Sequence, residues 1–161
     1  MQAKDGWISV LAAATVLALA SFVAPSTAAD AGCRAEYVGG TLAQFGSRVS
    51  GRIHTSDPEV LVFETRNVAL EVPYERINLL EYGQQVGRRY LLALAISPLM
   101  LLSKSRKHFL TVAYKDEEGQ QQALVFQIDK GGVRAVLASI EARTGLKVNY
   151  QDDEARRTGG G

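Results

Sequence analysis

Residues 90–102 read YLLALAISPLMLL, thirteen apolar or small residues with no charge among them, between Arg88 and Arg89 on one side and Lys104, Arg106, Lys107 and His108 on the other. At about 1.5 Å per helical residue such a run reaches roughly 20 Å, short of the roughly 30 Å hydrocarbon core of a bilayer. A simple helical span is therefore not expected. The run has to be buried in protein or dipped into a membrane surface, and its surroundings in the chain must decide between the two.

A second apolar stretch opens the chain. Lys4 precedes residues 7–23, which are apolar or small, and Pro25-Ser26-Thr27-Ala28-Ala29 supplies a helix break and small residues suited to cleavage. The pattern is that of an export signal covering 1–29, cut after Ala29. An uncleaved anchor is the alternative, because 7–23 is about as long as the shortest spanning helix. Much of the 47% hydrophobic content belongs to this segment, so the core of the remaining chain of about 130 residues, one domain, is modest. Residues 30–35 read as a flexible leader. Cys33 is the one cysteine and has no partner for an intramolecular disulfide. Ala31-Gly32-Cys33 matches the end of a lipobox, but Asp30 stands where that motif has an aliphatic residue, so lipidation and an incidental cysteine both stay open. The expected location is periplasmic or secreted, with membrane association.

From residue 37 onward the chain alternates strand and turn signals. Strands are expected at 37–42, 49–54, 59–65, 68–72, 77–82, 109–114 and 123–128. Ser56 and Asp57 mark one turn, Arg66-Asn67 another, and the acidic link Asp116-Glu117-Glu118-Gly119 makes the last two strands a hairpin. The period then changes to about 3.6: Val133, Val136, Leu137 and Ile140 share a helical stripe that stops at Gly145. Residues 150–161 lack an apolar pattern and are expected to form a disordered tail. The fold class is thus mainly β, a bent antiparallel sheet of seven strands or a partial barrel, capped by a C-terminal helix. An apolar helical insertion (86–104) separates strands five and six of a domain covering 36–149.

This element order resembles the pleckstrin-homology (PH)-like superfold, and within it GRAM-like domains. The likeness is carried by Ser50-Gly51-Arg52-Ile53-His54-Thr55-Ser56-Asp57, by Val60-Leu61-Val62-Phe63 and by Val72-Pro73-Tyr74-Glu75-Arg76-Ile77. The resemblance implies a non-enzymatic module that binds lipid headgroups or protein segments. It does not imply a phosphoinositide site of the usual kind, since 43–48 offers only Arg48 at the first hairpin.

Two functional readings follow for the run. In the first it is membrane contact: Pro98 disfavours helix at Ser97 and splits the run into two short pieces, with Leu91, Leu92, Leu94, Ile96, Leu99, Met100, Leu101 and Leu102 entering one leaflet. Arg88, Arg89, Lys104, Arg106 and Lys107 then stay at headgroup level, each worth about 1 kcal/mol near an anionic surface. In the second the same residues pack on the sheet, on a partner or on a second copy in a homo-oligomer, and the charges are merely solvated.

Other chemistry finds little support. His54 and His108 are the only imidazoles, and no Cys or His spacing makes a zinc site, so neither metal nor cofactor is expected. Ser56-Asp57 beside His54 has the residue types of a nucleophilic triad, but turn residues of this kind bond the local backbone more economically. Gly131-Gly132 lacks the following Lys-Ser or Lys-Thr of a phosphate loop. No catalytic residue is assigned. A net charge of +1 gives no electrostatic footprint for nucleic acid. The partner is expected to be a membrane surface or a protein.

Overall fold

A computed structural model describes residues 32–42, 45, 48–86 and 107–160. Eight strands form one mixed sheet, accompanied by two C-terminal helices. In chain order they are β1 (Cys33–Gly40), β2 (Val49–His54), β3 (Val60–Thr65), β4 (Ala69–Pro73), β5 (Ile77–Gly83), β6 (His108–Lys115), β7 (Gln121–Ile128), α1 (Lys130–Thr144), β8 (Asn149–Tyr150) and α2 (Asp153–Gly159). All pairings are antiparallel except that of β8, which lies parallel to β5.

The order across the sheet is β4-β3-β2-β1-β7-β6-β5-β8. β4 and β5 are neighbours in sequence, joined by the single 3-10 turn Tyr74–Arg76, yet stand six places apart in that order. A flat sheet would separate them by roughly 29 Å at roughly 4.8 Å per strand. The link spans at most roughly 15 Å, so the sheet curls. The aromatic rings show the same curvature: Phe63 on β3 and Phe126 on β7 have two strands between them, and their ring centroids are 4.8 Å apart.

The turns follow their sequence chemistry. Asp57 Oδ1 accepts hydrogen bonds from the backbone N–H groups of Glu59 (2.7 Å) and Val60 (3.0 Å), which stabilise its charged form and hold its pKa below the ordinary value. In the β6–β7 hairpin Asp116 Oδ1 accepts from the Gln120 N–H at 2.7 Å, and Gly119 takes the left-handed conformation at φ 79°. α1 ends at Gly145, also left-handed at φ 71°, as its position after the apolar stripe predicts. Near its start, Gly131 and Gly132 depart from helical geometry, and Gly132 has φ 87°. The continuous helix therefore begins at Val133.

Inside the curl lies the main core, which includes Tyr37, Ile53, Phe63, Leu80, Tyr82, Leu110, Leu124 and Phe126. The four stripe residues of α1, Val133, Val136, Leu137 and Ile140, are fully buried in it, and so is Ala155 of α2. The opposite face of the sheet carries a second apolar cluster: Val38, Val86, Phe109, Ala113, Ala123 and Val125, with Leu79 packed against it. β6 and β7 are consequently buried on both sides. Their sequences FLTVAY and ALVF are nearly continuous in apolar residues, the pattern of a strand covered on two faces.

Three expectations change, the first being the sheet itself: it is mixed and has eight strands where seven antiparallel ones were expected, because residues 149–150 add β8 parallel to β5. β1 starts at Cys33, inside the presumed leader, because Cys33, Ala35 and Tyr37 alternate with Arg34 and Glu36 and turn into the core. Residues 149–159 are ordered as β8 and α2 where a disordered tail was expected. Asp152 caps α2 by accepting from the Ala155 N–H, and Ala155 is fully buried. Small residues make that docking possible: a Cβ on Gly159 would come within 2.7 Å of Leu137 and 3.0 Å of Tyr82. Residues 90–102, with Arg88, Arg89, Lys104 and Arg106, lie outside the described residues, as does the export segment 1–29. Among the described residues no helix is long and apolar enough to cross a membrane.

Candidate functional site

The strongest concentration of unlike chemistry lies where β1, β2 and α1 meet. Cross-strand register sets Arg34 of β1 directly opposite Arg52 of β2, both exposed on the face turned away from the main core. Like charges at directly opposed positions repel. Lys130, the first residue of α1, joins them around a pocket of about 480 Å³ that Gly32, Cys33, Asp129 and Gly131 complete. Three cations face one carboxylate in this lining, although the chain as a whole is nearly neutral. Glu64 stands next to Arg52 in register on β3, and Glu154 pairs with Lys130 at 3.4 Å. Exposed pairs of this kind are worth little, so the pocket keeps its cationic character toward a multivalent anion.

Arg34 and Arg52 lie eighteen positions apart in the chain, with nothing between them that announces a pair. The signal is the register. Once Cys33, Ala35 and Tyr37 are seen to alternate and Ile53 is opposed to Cys33, the arginines follow as neighbours. Lys107, the one described member of the basic flanks, is half-buried just before β6.

A second pocket of similar volume lies at the β2–β3 turn and the 3-10 turn, lined by Pro58, Glu59, Val60, Pro73, Tyr74 and Glu75. The Arg143 guanidinium lies over the Tyr74 ring at 5.3 Å from its centroid. With two carboxylates and no cation in its lining, this pocket suits no anion.

The residues that carry nucleophilic chemistry are engaged elsewhere. His54 Nε2 lies 3.1 Å from Glu64 and Asp57 is committed to backbone N–H groups, so the Ser56, Asp57 and His54 types do not form a relay. Cys33 is 2% exposed. Burial pushes its thiol up to about 12, against a lowering by Arg52, so the reactive thiolate is scarce at neutral pH. The same burial is at odds with a lipid on its sulfur, which would have to leave the core. Among the described residues no cluster of His, Cys, Asp or Glu is placed to hold a metal ion.

His108 has a structural role. It is 2% exposed and stacked on Tyr82 at 5.5 Å between centroids, and its Nδ1 lies 3.0 Å from the Tyr82 hydroxyl. Burial, with Lys130 adding to it, lowers its pKa, while Glu154 and Asp152 oppose. The folded protein thus prefers the neutral ring. As pH falls below the ordinary histidine value of about 6.5, the unfolded chain takes up a proton that the native state resists, and stability declines. Urea unfolding at pH 7, 6 and 5 should show this acid slope, and His108→Gln should flatten it; an unchanged slope in the variant would assign it to the carboxylates.

No family model matches the chain, and no curated protein matches it.

Proposed function

We propose that this protein is a non-enzymatic binding module of PH-like architecture at an envelope membrane, and that it recognises an anionic surface through Arg34, Arg52 and Lys130. The observation that carries this reading is the opposition of Arg34 and Arg52 in register beside Lys130. Like charges at directly opposed positions are unfavourable, and a phosphate or carboxylate reached by both side chains offsets that cost with charge-assisted, bidentate hydrogen bonds. The PH-like part rests on the sheet order and on the placing of α1. The curl is closed by the corner from Pro73 into Ile77, and a helix follows directly after β7 against β1 and that corner. The GRAM-like resemblance rests in part on this same Pro73-Tyr74 to Ile77 step into the next strand. The envelope location rests on the export pattern of residues 1–29.

Arg88, Arg89, Lys104, Arg106 and Lys107 add cations at both ends of the connection between β5 and β6. They would extend the same anionic contact by about 1 kcal/mol each at low ionic strength.

Co-flotation of the chain without residues 1–29 tests the reading. The protein should rise with vesicles containing phosphatidylglycerol, stay down with purely zwitterionic ones, and be released as salt rises from 50 to 500 mM, because screening shortens the reach of each charge. Protein that remains at the bottom with anionic vesicles at low salt overturns the proposal. Concentration-dependent self-association in lipid-free buffer would then favour the protein-interaction module instead.

A further inference from the structure

The cationic pocket has a neighbour. Outward-facing positions of β1, β2 and β7 stand in register, so their side chains form rows across the three strands. Arg52 and Arg34 make the first row, continued by Asp129 just past β7, whose N–H donates to the Arg34 carbonyl oxygen at 3.1 Å. Ser50, Glu36 and Gln127 make the second. A smaller pocket of about 200 Å³ is lined by residues of both rows and shares Arg34 and Asp129 with the cationic pocket. One molecule can therefore reach into both. We infer that this molecule is a glycerophosphate group, with its phosphate among Arg34, Arg52 and Lys130 and its hydroxyls on Glu36, Ser50 and Gln127. The inference rests on the anionic-surface reading and adds which headgroup chemistry that site selects.

Three properties of the smaller pocket point to hydroxyls. The first is spacing. Successive outward positions on one strand are about 6.7 Å apart, and a hydroxyl four or five bonds from a phosphorus reaches about 5–6 Å at roughly 1.5 Å per bond. Phosphate on the first row thus sets a glycerol against the second. The next property is capacity: a serine hydroxyl and a glutamine amide both donate and accept, and a carboxylate accepts. Glu36 has the Arg48 guanidinium at 3.6 Å, too far for a good hydrogen bond, and keeps room to accept. A polyol satisfies all three groups, whereas an alkyl chain would take them out of water with nothing in return. The last property is charge. Glu36 and Asp129 repel a second phosphate or a carboxylate, and Arg34 and Arg48 close by leave an ammonium little to gain. The volume agrees, since it lies below the roughly 300 Å³ at which pockets for larger ligands begin.

Vesicle flotation of the full chain tests the assignment, reading only the fraction that 500 mM salt releases, so that retention through the apolar segment at residues 7–23 is not counted. Phosphatidylglycerol is compared with phosphatidylethanol at the same mole fraction. Both lipids carry one negative charge, and only the first has hydroxyls. Phosphatidylglycerol should bind at least about fivefold more tightly, equivalent to about 1 kcal/mol and the net worth of one hydrogen bond. In Ser50→Ala/Gln127→Ala the ratio between the two lipids should fall toward one. Equal binding of both lipids by the unaltered protein overturns the inference and leaves the anionic-surface reading standing, whereas binding to neither removes both. A preference that the double variant retains places the hydroxyls elsewhere and overturns it as well.

Because substitutions on a strand can disturb the fold, soluble esters give an independent measurement on the unaltered protein. Release from phosphatidylglycerol vesicles by glycerol 1-phosphate, at several-fold lower concentration than by ethyl phosphate, supports the assignment and shows that the free ester is sufficient. Release by neither ester, with the lipid preference intact, supports it with the group presented on a bilayer. Equal release by both overturns it.

Discussion

Phe126→Ala is expected to lower the unfolding free energy by about 3–5 kcal/mol, the cost of emptying a large aromatic site that cannot collapse. Phe126 is 1% exposed on β7, and its ring meets Phe63 of β3 at 4.8 Å and Tyr37 of β1 at 5.9 Å. Phe45 closes the group, 5.4 Å from Tyr37 and 6.3 Å from Phe63. Tyr37 is the direct cross-strand neighbour of Phe126, whereas the Phe63 contact spans the curl, so the truncation also removes an interaction between β7 and β3, which backbone hydrogen bonds do not join directly. Tilted and edge-on ring pairs contribute about 0.5–1.5 kcal/mol each beyond their buried area. Against a total stability of about 5–15 kcal/mol, the loss takes a large share. Urea titration should show a lower midpoint at an unchanged slope, and Phe126→Leu, which keeps most of the volume, should cost under half as much. A loss below about 1 kcal/mol for the alanine variant would mean that the ring cluster does not hold the curl.

The parts of this fold that could be read from the chain are those with a strong period or a strong turn residue. Val133, Val136, Leu137 and Ile140 announced α1, Gly145 its end, and Asp116 with Gly119 the last hairpin, because each is decided within a few residues. What escaped was decided elsewhere. The first strand was expected only from residue 37; its start at Cys33 lies inside the expected leader, which masked the alternation of Cys33 and Ala35 with Arg34 and Glu36. α2 is too short and polar to show a stripe; it holds because Asp152 caps it and Ala155 and Gly159 are small enough to approach Leu137 and Tyr82. The double burial of β6 and β7 was written in their unbroken apolar sequences, yet a short apolar run alone does not tell a doubly buried strand from a buried helix segment. Candidate sites behave the same way. The run and its flanking cations other than Lys107 stand out in sequence but lie outside the described residues, whereas the Arg34 and Arg52 pair is silent in sequence and appears only through register.

That pair sets the largest functional effect. The variant Arg34→Gln/Arg52→Gln/Lys130→Gln should bind phosphatidylglycerol vesicles roughly a hundredfold more weakly at low salt. Each basic residue near an anionic surface is worth about 1 kcal/mol, and about 1.4 kcal/mol is a decade of affinity. The fold should survive, because the substitutions relieve a like-charge opposition and remove the exposed Lys130 pair with Glu154, whose worth is small. Net charge is the rival explanation, and a second triple variant separates the two. Arg66→Gln/Lys115→Gln/Lys147→Gln removes the same charge from exposed positions outside the pocket lining. If the pocket recognises the surface, this control keeps most of its binding and its salt dependence, while the pocket variant loses both. Equal losses would show that the bilayer senses only total charge, and the pocket would then have no special part in binding.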